Sequence, residues 1–219
     1  GGQKRGDGTE DHIFQGNYPT NEDYYMIKLD HQFSDADSFF IRYTLEEGDR
    51  QVPIRFPIFG QDATYRNQWT TVEWKRILTP SVINEARFGL TRSAHNVLPT
   101  SEAPESLWFV PADQVSWQPD FGELIIEGLT TLGPSHNQYK KNVYNNFQYT
   151  DNLIWTRGRH ALKFGFNLQR MQFNYVNLAR ASGIYSFESL EDAFLVRPRN
   201  FDSFVEHTST IGMRQSVIG

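Results

Sequence analysis

The 219 residues carry 26 acidic against 21 basic side chains and no cysteine. The net charge of −5 excludes a general nucleic-acid binder, which needs a basic face to displace counterions, and the absence of Cys excludes disulfides and thiolate metal sites. Aromatic content is high at 15 % in a chain that is polar on average, which suits strands with one apolar and one polar face; no run approaches the ~18 apolar residues of a spanning helix.

The first residues, "GGQKRGDGTEDH", hold neither an initiator Met nor an apolar signal core, and read as part of a mature or internal piece. Alternation of period two begins just after them. Tyr25, Ile27, Leu29 and Phe33 share one face and Lys28, Asp30 and Gln32 the other. After the turn "SDAD", Phe39, Ile41, Tyr43 and Leu45 alternate with Arg42, Thr44 and Glu46, which predicts a hairpin near 24–46. A loop of about 20 residues is expected next, around "EEGDRQVPIRFPIFGQDATYR".

A second hairpin is predicted near 68–93. Val72 and Trp74 alternate with Glu73 and Lys75, Pro80 marks the turn, and Ala86, Phe88 and Leu90 alternate with Arg87, Gly89 and Thr91. From Ser93 to Lys141 a loop of about 50 residues is expected. The third hairpin, near 142–176, runs in through Phe147, Tyr149, Leu153 and Trp155, turns at "RGRH", and leaves through Leu162, Phe164, Phe166 and Leu168 opposite Lys163, Gly165, Asn167 and Gln169. Beyond Arg170 the apolar phase slips to Met171, Phe173 and Tyr175, which predicts a β-bulge. A seventh strand is expected near "TSTIGMRQSVIG". The three outgoing strands share a grammar: "IRYTL", "ARFGL" and "LKFGF".

Short turns at one end and long loops at the other is the pattern of an outer-membrane barrel. The fold class is therefore all-β: an antiparallel up-and-down meander forming an arc of a large transmembrane β-barrel, spanning residues 1–219 and located in the outer membrane. Phe39, Ile41, Tyr43, Phe88, Leu90, Phe164 and Phe166 are expected to meet lipid, and Lys28, Arg42, Glu73, Arg87, Lys163 and Gln169 the polar interior. Trp74 and Trp155 fall on the apolar face close to short turns, where an aromatic girdle belongs. Asp151 and His31 lie in phase with apolar neighbours; a local bulge or a place near the water interface would accommodate them. A soluble exported β-sandwich that binds carbohydrate through its longest loop gives the same alternation.

Chemistry-bearing motifs are sparse. His12, His31, His95, His136, His160 and His207 are scattered without metal-ligand spacing, and no phosphate-binding glycine motif is present. Glu123 and Glu127 on one strand face would stand about 13 Å apart, beyond the reach of a glycosidase pair. Arg157 and Arg159 flank Gly158 as a solvated turn. No enzyme, cofactor or metal is expected. Trp108 and Trp117, in the longest loop, are the substrate-binding candidates, as stacking surfaces.

Short ordered motifs carry a family resemblance over roughly residues 20 to 200. "DHQFSDADSFFIRYT", "LTPSVINEARFGLTRS" and "GLTTLGPSHNQYKKNVYNNFQYTDNLIWTRGRHALKFGFNLQR" resemble successive barrel segments of TonB-dependent outer-membrane receptors of the Oar-like kind, which carry a carboxypeptidase-regulatory-like domain. "YSFESLEDAFLVRP" resembles the segment that follows, with "DAFLVRP" departing from the family's Asp-Phe-Leu-Leu-Gly run. The resemblance implies a 22-stranded barrel closed by an N-terminal plug, active uptake of an unknown substrate, and the TonB–ExbB–ExbD complex and outer-membrane lipid as partners. The plug and N-terminal domain that couple such receptors match no residues here, so no family functional residue is carried over.

Overall fold

The computed structural model describes residues 3–6, 8–11, 13–109, 120–135 and 139–203, with the backbone of 213–218. The strands are β1 (Thr20–Gln32), β2 (Asp37–Ile54), β3 (Phe56–Thr79), β4 (Val82–Ser101), β5 (Glu123–Ile126), β6 (Lys140–Arg157), β7 (His160–Asn177), β8 (Ile184–Phe187), β9 (Asn200–Asp202) and β10 (Met213–Ile218), and one short helix, α1, covers Leu190–Phe194. Seven strands form one sheet in the order β1-β2-β3-β4-β6-β7-β10, antiparallel throughout. The other three form a small sheet, β5-β8-β9, in which β5 and β8 run parallel.

The three hairpins are those of the sequence, and each turn has a local cause. In the first, the Ser34 hydroxyl accepts from the backbone N–H groups of Ala36 and Asp37 at 3.2 and 3.1 Å, an ST-turn. In the second, Thr79 pairs with Val82 across Pro80 and Ser81. In the third, Arg157 pairs with His160, and Gly158 takes φ 59° at the first central position, the type II′ geometry that suits right-twisted strands.

Register sorts the side chains cleanly. Following cross-strand partners, Leu29, Ile41, Val72, Phe88, Tyr149 and Leu168 form one row on one face. Phe39, Tyr43, Leu90, Phe164 and Phe166 lie on that same face; Lys28, Arg42, Glu73, Arg87, Lys163 and Gln169 lie on the other. The polar face is concave: its strands line two depressions, one through Arg42, Thr44, Thr71 and Gln148, the other through Asp30, Ser38, Glu73 and Lys75. The apolar face is uncovered, with Ile27 71 % and Phe166 62 % exposed. No second sheet packs on it among the described residues, which removes the β-sandwich alternative.

Three expectations are corrected. The 20-residue loop does not exist: β2 and β3 stay paired up to Ile54 and Phe56, and Arg55 alone forms the tip with φ 59°. The 50-residue loop is shorter, because β4 continues to Ser101 and pairs with β3 up to Phe59. No bulge follows Arg170, since β6 and β7 keep one register from Lys140–Asn177 to Arg157–His160. Met171, Phe173 and Tyr175 simply occupy the concave face, where the last two rings stack at 5.9 Å. Register shifts occur instead at Pro53/Ile54 and Ile77/Thr79.

The hairpin tips are staggered. Perpendicular to the strands, the row Gln32–Ser38–Lys75–Glu85–Asn152 ends the first hairpin, whereas the third continues five residues further, to Arg157. If the tips share one plane, five residues across four strand spacings mean a tilt of about 40°, from a rise of about 3.3 Å per residue and about 4.8 Å between strands. Such a tilt is what closing a sheet into a barrel requires.

The packed core lies at the long-loop end. Phe59, Val97, Phe121, Ala181, Ile184 and Phe187 are its buried apolar residues. Phe121 contacts both Phe59 and Phe109 at 5.3 Å between centroids, so the small sheet sits against the upper end of β3.

Candidate functional site

Two features stand out: the concave wall and the cap that the loops build at its upper end. On the wall, the small residue of the outgoing-strand grammar is Thr44, Gly89 or Gly165, each on the concave side. A Cβ at Gly165 would stand 2.5 Å from the Asn152 side chain and 2.8 Å from the Asp151 carbonyl, so only Gly fits. Thr44 and Gly89 leave room for a depression of about 430 Å³ beside Trp69, Asn146 and Gln148. Charges on this face pair across strands, as in Arg87 with Glu73 and Lys75 with Glu85 at 3.9 Å. The Oδ1 atoms of Asn142 and Asn146 are buried without a hydrogen-bond partner among the described residues.

The cap is tied to the tip of the β2–β3 ribbon by charge. Glu123, 1 % exposed, starts β5, and its carboxylate accepts from the Arg55 guanidinium at 2.7 Å. The Glu123 backbone N–H donates to the Gly183 carbonyl, carrying the tie into the third loop. Beside it, Asp120 is 5 % exposed and closes an Asx-turn by accepting from the Gly122 N–H at 2.9 Å. Burial pushes the Asp120 carboxyl up; the Gly122 and Ser182 hydrogen bonds oppose this and the Glu123 charge adds to it. A carboxyl whose folded value is raised binds its proton more tightly when folded, so its contribution to cap stability grows as pH falls through that value and is lost as pH rises. Asp120→Asn should therefore slow amide exchange of β5 and β8 relative to wild type at pH 7, with the advantage gone by about pH 4. A variant less protected at pH 7 would contradict this reading.

The residues singled out by the sequence take separate places in the structure. Trp108 is used in packing, its indole N–H donating to the Ala103 carbonyl at 3.1 Å, and Trp117 lies outside the described residues. Glu127 is an exposed turn residue, apart from the buried Glu123. No group of three metal-ligating side chains occurs among the described residues; His12, His136 and His207 lie outside them. Arg157 covers the Trp155 ring at 5.8 Å, and the Trp74 indole donates to Asp37 at 3.2 Å, so both Trp side chains anchor near short turns as expected. Asp151 needs no bulge: it accepts from Asn84 at 2.5 Å on the apolar face. His31 packs edge-on against Phe33 beside the first turn. Arg55 and Asp120 escaped the sequence reading. "DFG" carries a turn signal at Asp120, but nothing local marks Arg55 as a tip.

A tilted meander with an apolar convex face, a polar concave face and loops folded at one end defines a membrane β-barrel wall. The chain belongs to the outer membrane beta barrel domain family, whose model matches residues 2–213. It is thereby a barrel protein of the outer membrane, present here as an open arc. Comparison with curated proteins and with solved structures returned no match.

Proposed function

We propose that this chain is part of the barrel wall of a TonB-dependent receptor of the Oar-like kind, taking up a substrate across the outer membrane without catalysing any reaction. The observation that supports it best is the unclosed sheet. Among the described residues, seven strands in register leave both edges free, so the barrel needs more strands than these, and unpaired edges are not tolerated in hydrocarbon. A larger barrel has room for a polar lumen, and the concave wall supplies one. The ordered motifs of the three hairpins support the receptor class. On this reading the short turns are periplasmic, the cap is extracellular and the convex face meets lipid. On β6 the convex-face stretch from Phe147 to Trp155, interrupted by Asp151 with its Asn84 partner, would span about 20 Å along the membrane normal at that tilt, close to the ~25 Å band of such barrels.

Coupling to the inner membrane is the property to test. Site-directed cross-linking of the full-length protein to the periplasmic domain of TonB is expected to give a specific adduct that depends on an N-terminal plug. A full-length protein with no plug, or no adduct from any plug position, would overturn the receptor assignment and leave the family intact.

A further inference from the structure

Arginines are costly on the outer face of a barrel unless something there uses them. Arg66, Arg92 and Arg170 all lie on the convex face, each beyond the end of its strand's apolar run: Leu90 precedes Arg92 and Leu168 precedes Arg170. Perpendicular to the strands they are not aligned, because the partners of Arg92 in that direction are Gln68, Asn145 and Gln172. The stagger of the hairpin tips changes this. A tilt of about 40° shifts the level by a little over one residue per strand, upward toward β1 and downward toward β7. From Arg92, one strand toward β3 then reaches Arg66, and two strands toward β7 reach Arg170. With the hairpin tips in one plane, the Cα positions of the three arginines therefore fall within about one residue of a common depth, just above the apolar face.

We propose that this belt binds the phosphate-bearing headgroups of lipids in the outer leaflet. Depth and charge both select that occupant. A phosphate at this level belongs to a lipid whose acyl chains rest on Leu90 and Leu168, and Arg presents a planar fork suited to phosphate oxygens. Glu47, 3.5 Å from Arg66, neutralises part of the belt at one end. Arg92 and Arg170 carry the site, separated by about 12 Å within the membrane plane. Asn145 accepts from Nη1 of Arg92 at 2.8 Å and helps to fix its orientation. The proposal rests on the outer-membrane orientation given above and not on transport.

The test uses the full-length protein, extracted in mild detergent and titrated with purified lipopolysaccharide, with bound lipid counted by native mass spectrometry. Arg92→Gln/Arg170→Gln is expected to bind about tenfold more weakly than wild type, and Arg87→Gln, on the concave face, to bind as wild type. Dephosphorylated lipopolysaccharide should bind wild type as weakly as the intact lipid binds the double variant. Equal binding of the two lipids by wild type would overturn the proposal even if the double variant failed to assemble. Displacement of the lipid by millimolar inorganic phosphate would overturn it in favour of a free-anion site. TonB cross-linking can fail without touching any of these readings.

Discussion

Phe164→Arg in the full-length protein is expected to destabilise the assembled barrel by about 2–4 kcal/mol, the cost of a basic side chain near the middle of the apolar band. Lys163→Glu, one residue earlier, is expected to leave stability nearly unchanged. The two positions differ only in face. Phe164 sits opposite Leu153 on the convex side, is 56 % exposed in the isolated arc and is flanked by Leu162 and Phe166; Lys163 sits opposite Ile154 on the concave side. A one-residue slip of β7 would exchange them, and the continuous pairing of eighteen residues with β6 prevents that slip. Urea unfolding in detergent, followed by the loss of heat-modifiable mobility, measures the difference. Equal tolerance of both substitutions would overturn the assignment of faces.

That face was legible in the sequence because two media act on a strand inside the apolar band. Ile41 and Arg42 cannot exchange places there without exposing charge to hydrocarbon, so period two is enforced. Beyond the band both faces meet water and the enforcement ends. Residues 47–54 of β2 and 56–66 of β3 therefore read as loop, with Gly48, Pro53 and Gly60 as apparent breakers, although Val52 pairs with Gln61 and Pro53 with Gly60. The same loss of constraint explains the phantom bulge. After Arg170 the apolar residues change face because the strand has left the band, while its hydrogen bonds continue unbroken. The small sheet was illegible for another reason. Its parallel pair joins Glu123–Ile126 to Ile184–Phe187 across about sixty residues, and no short-range pattern encodes a contact of that sequence separation.

The cap's charge tie is the second place where a single side chain has a large expected effect. Arg55→Met keeps the length and apolar stem of the side chain and the same left-handed backbone demand at the ribbon tip, so it isolates the charge. It leaves the Glu123 carboxylate, 2 % exposed, without its guanidinium, and breaking a buried pair in this way costs roughly 3–5 kcal/mol. The Arg55 side chain is itself 33 % exposed, which places the expected loss at about 2–3 kcal/mol of local cap stability. Adding Glu123→Gln removes the buried charge and should recover a large part of that loss, a coupling that a double-mutant cycle reads directly. Amide exchange is the measurement, because the backbone bonds from Glu123 to Gly183 and from Glu127 to Phe187 report opening of the cap while β6 and β7 report the wall. Faster exchange in β5 and β8 with unchanged exchange in β6 and β7 is the expected result. If Arg55→Met accelerates both regions alike, the cap is not a separate unit hung on the ribbon tip; if it accelerates neither, the pair is structural ornament and the aromatic contacts from Phe59 to Phe121 hold the cap alone.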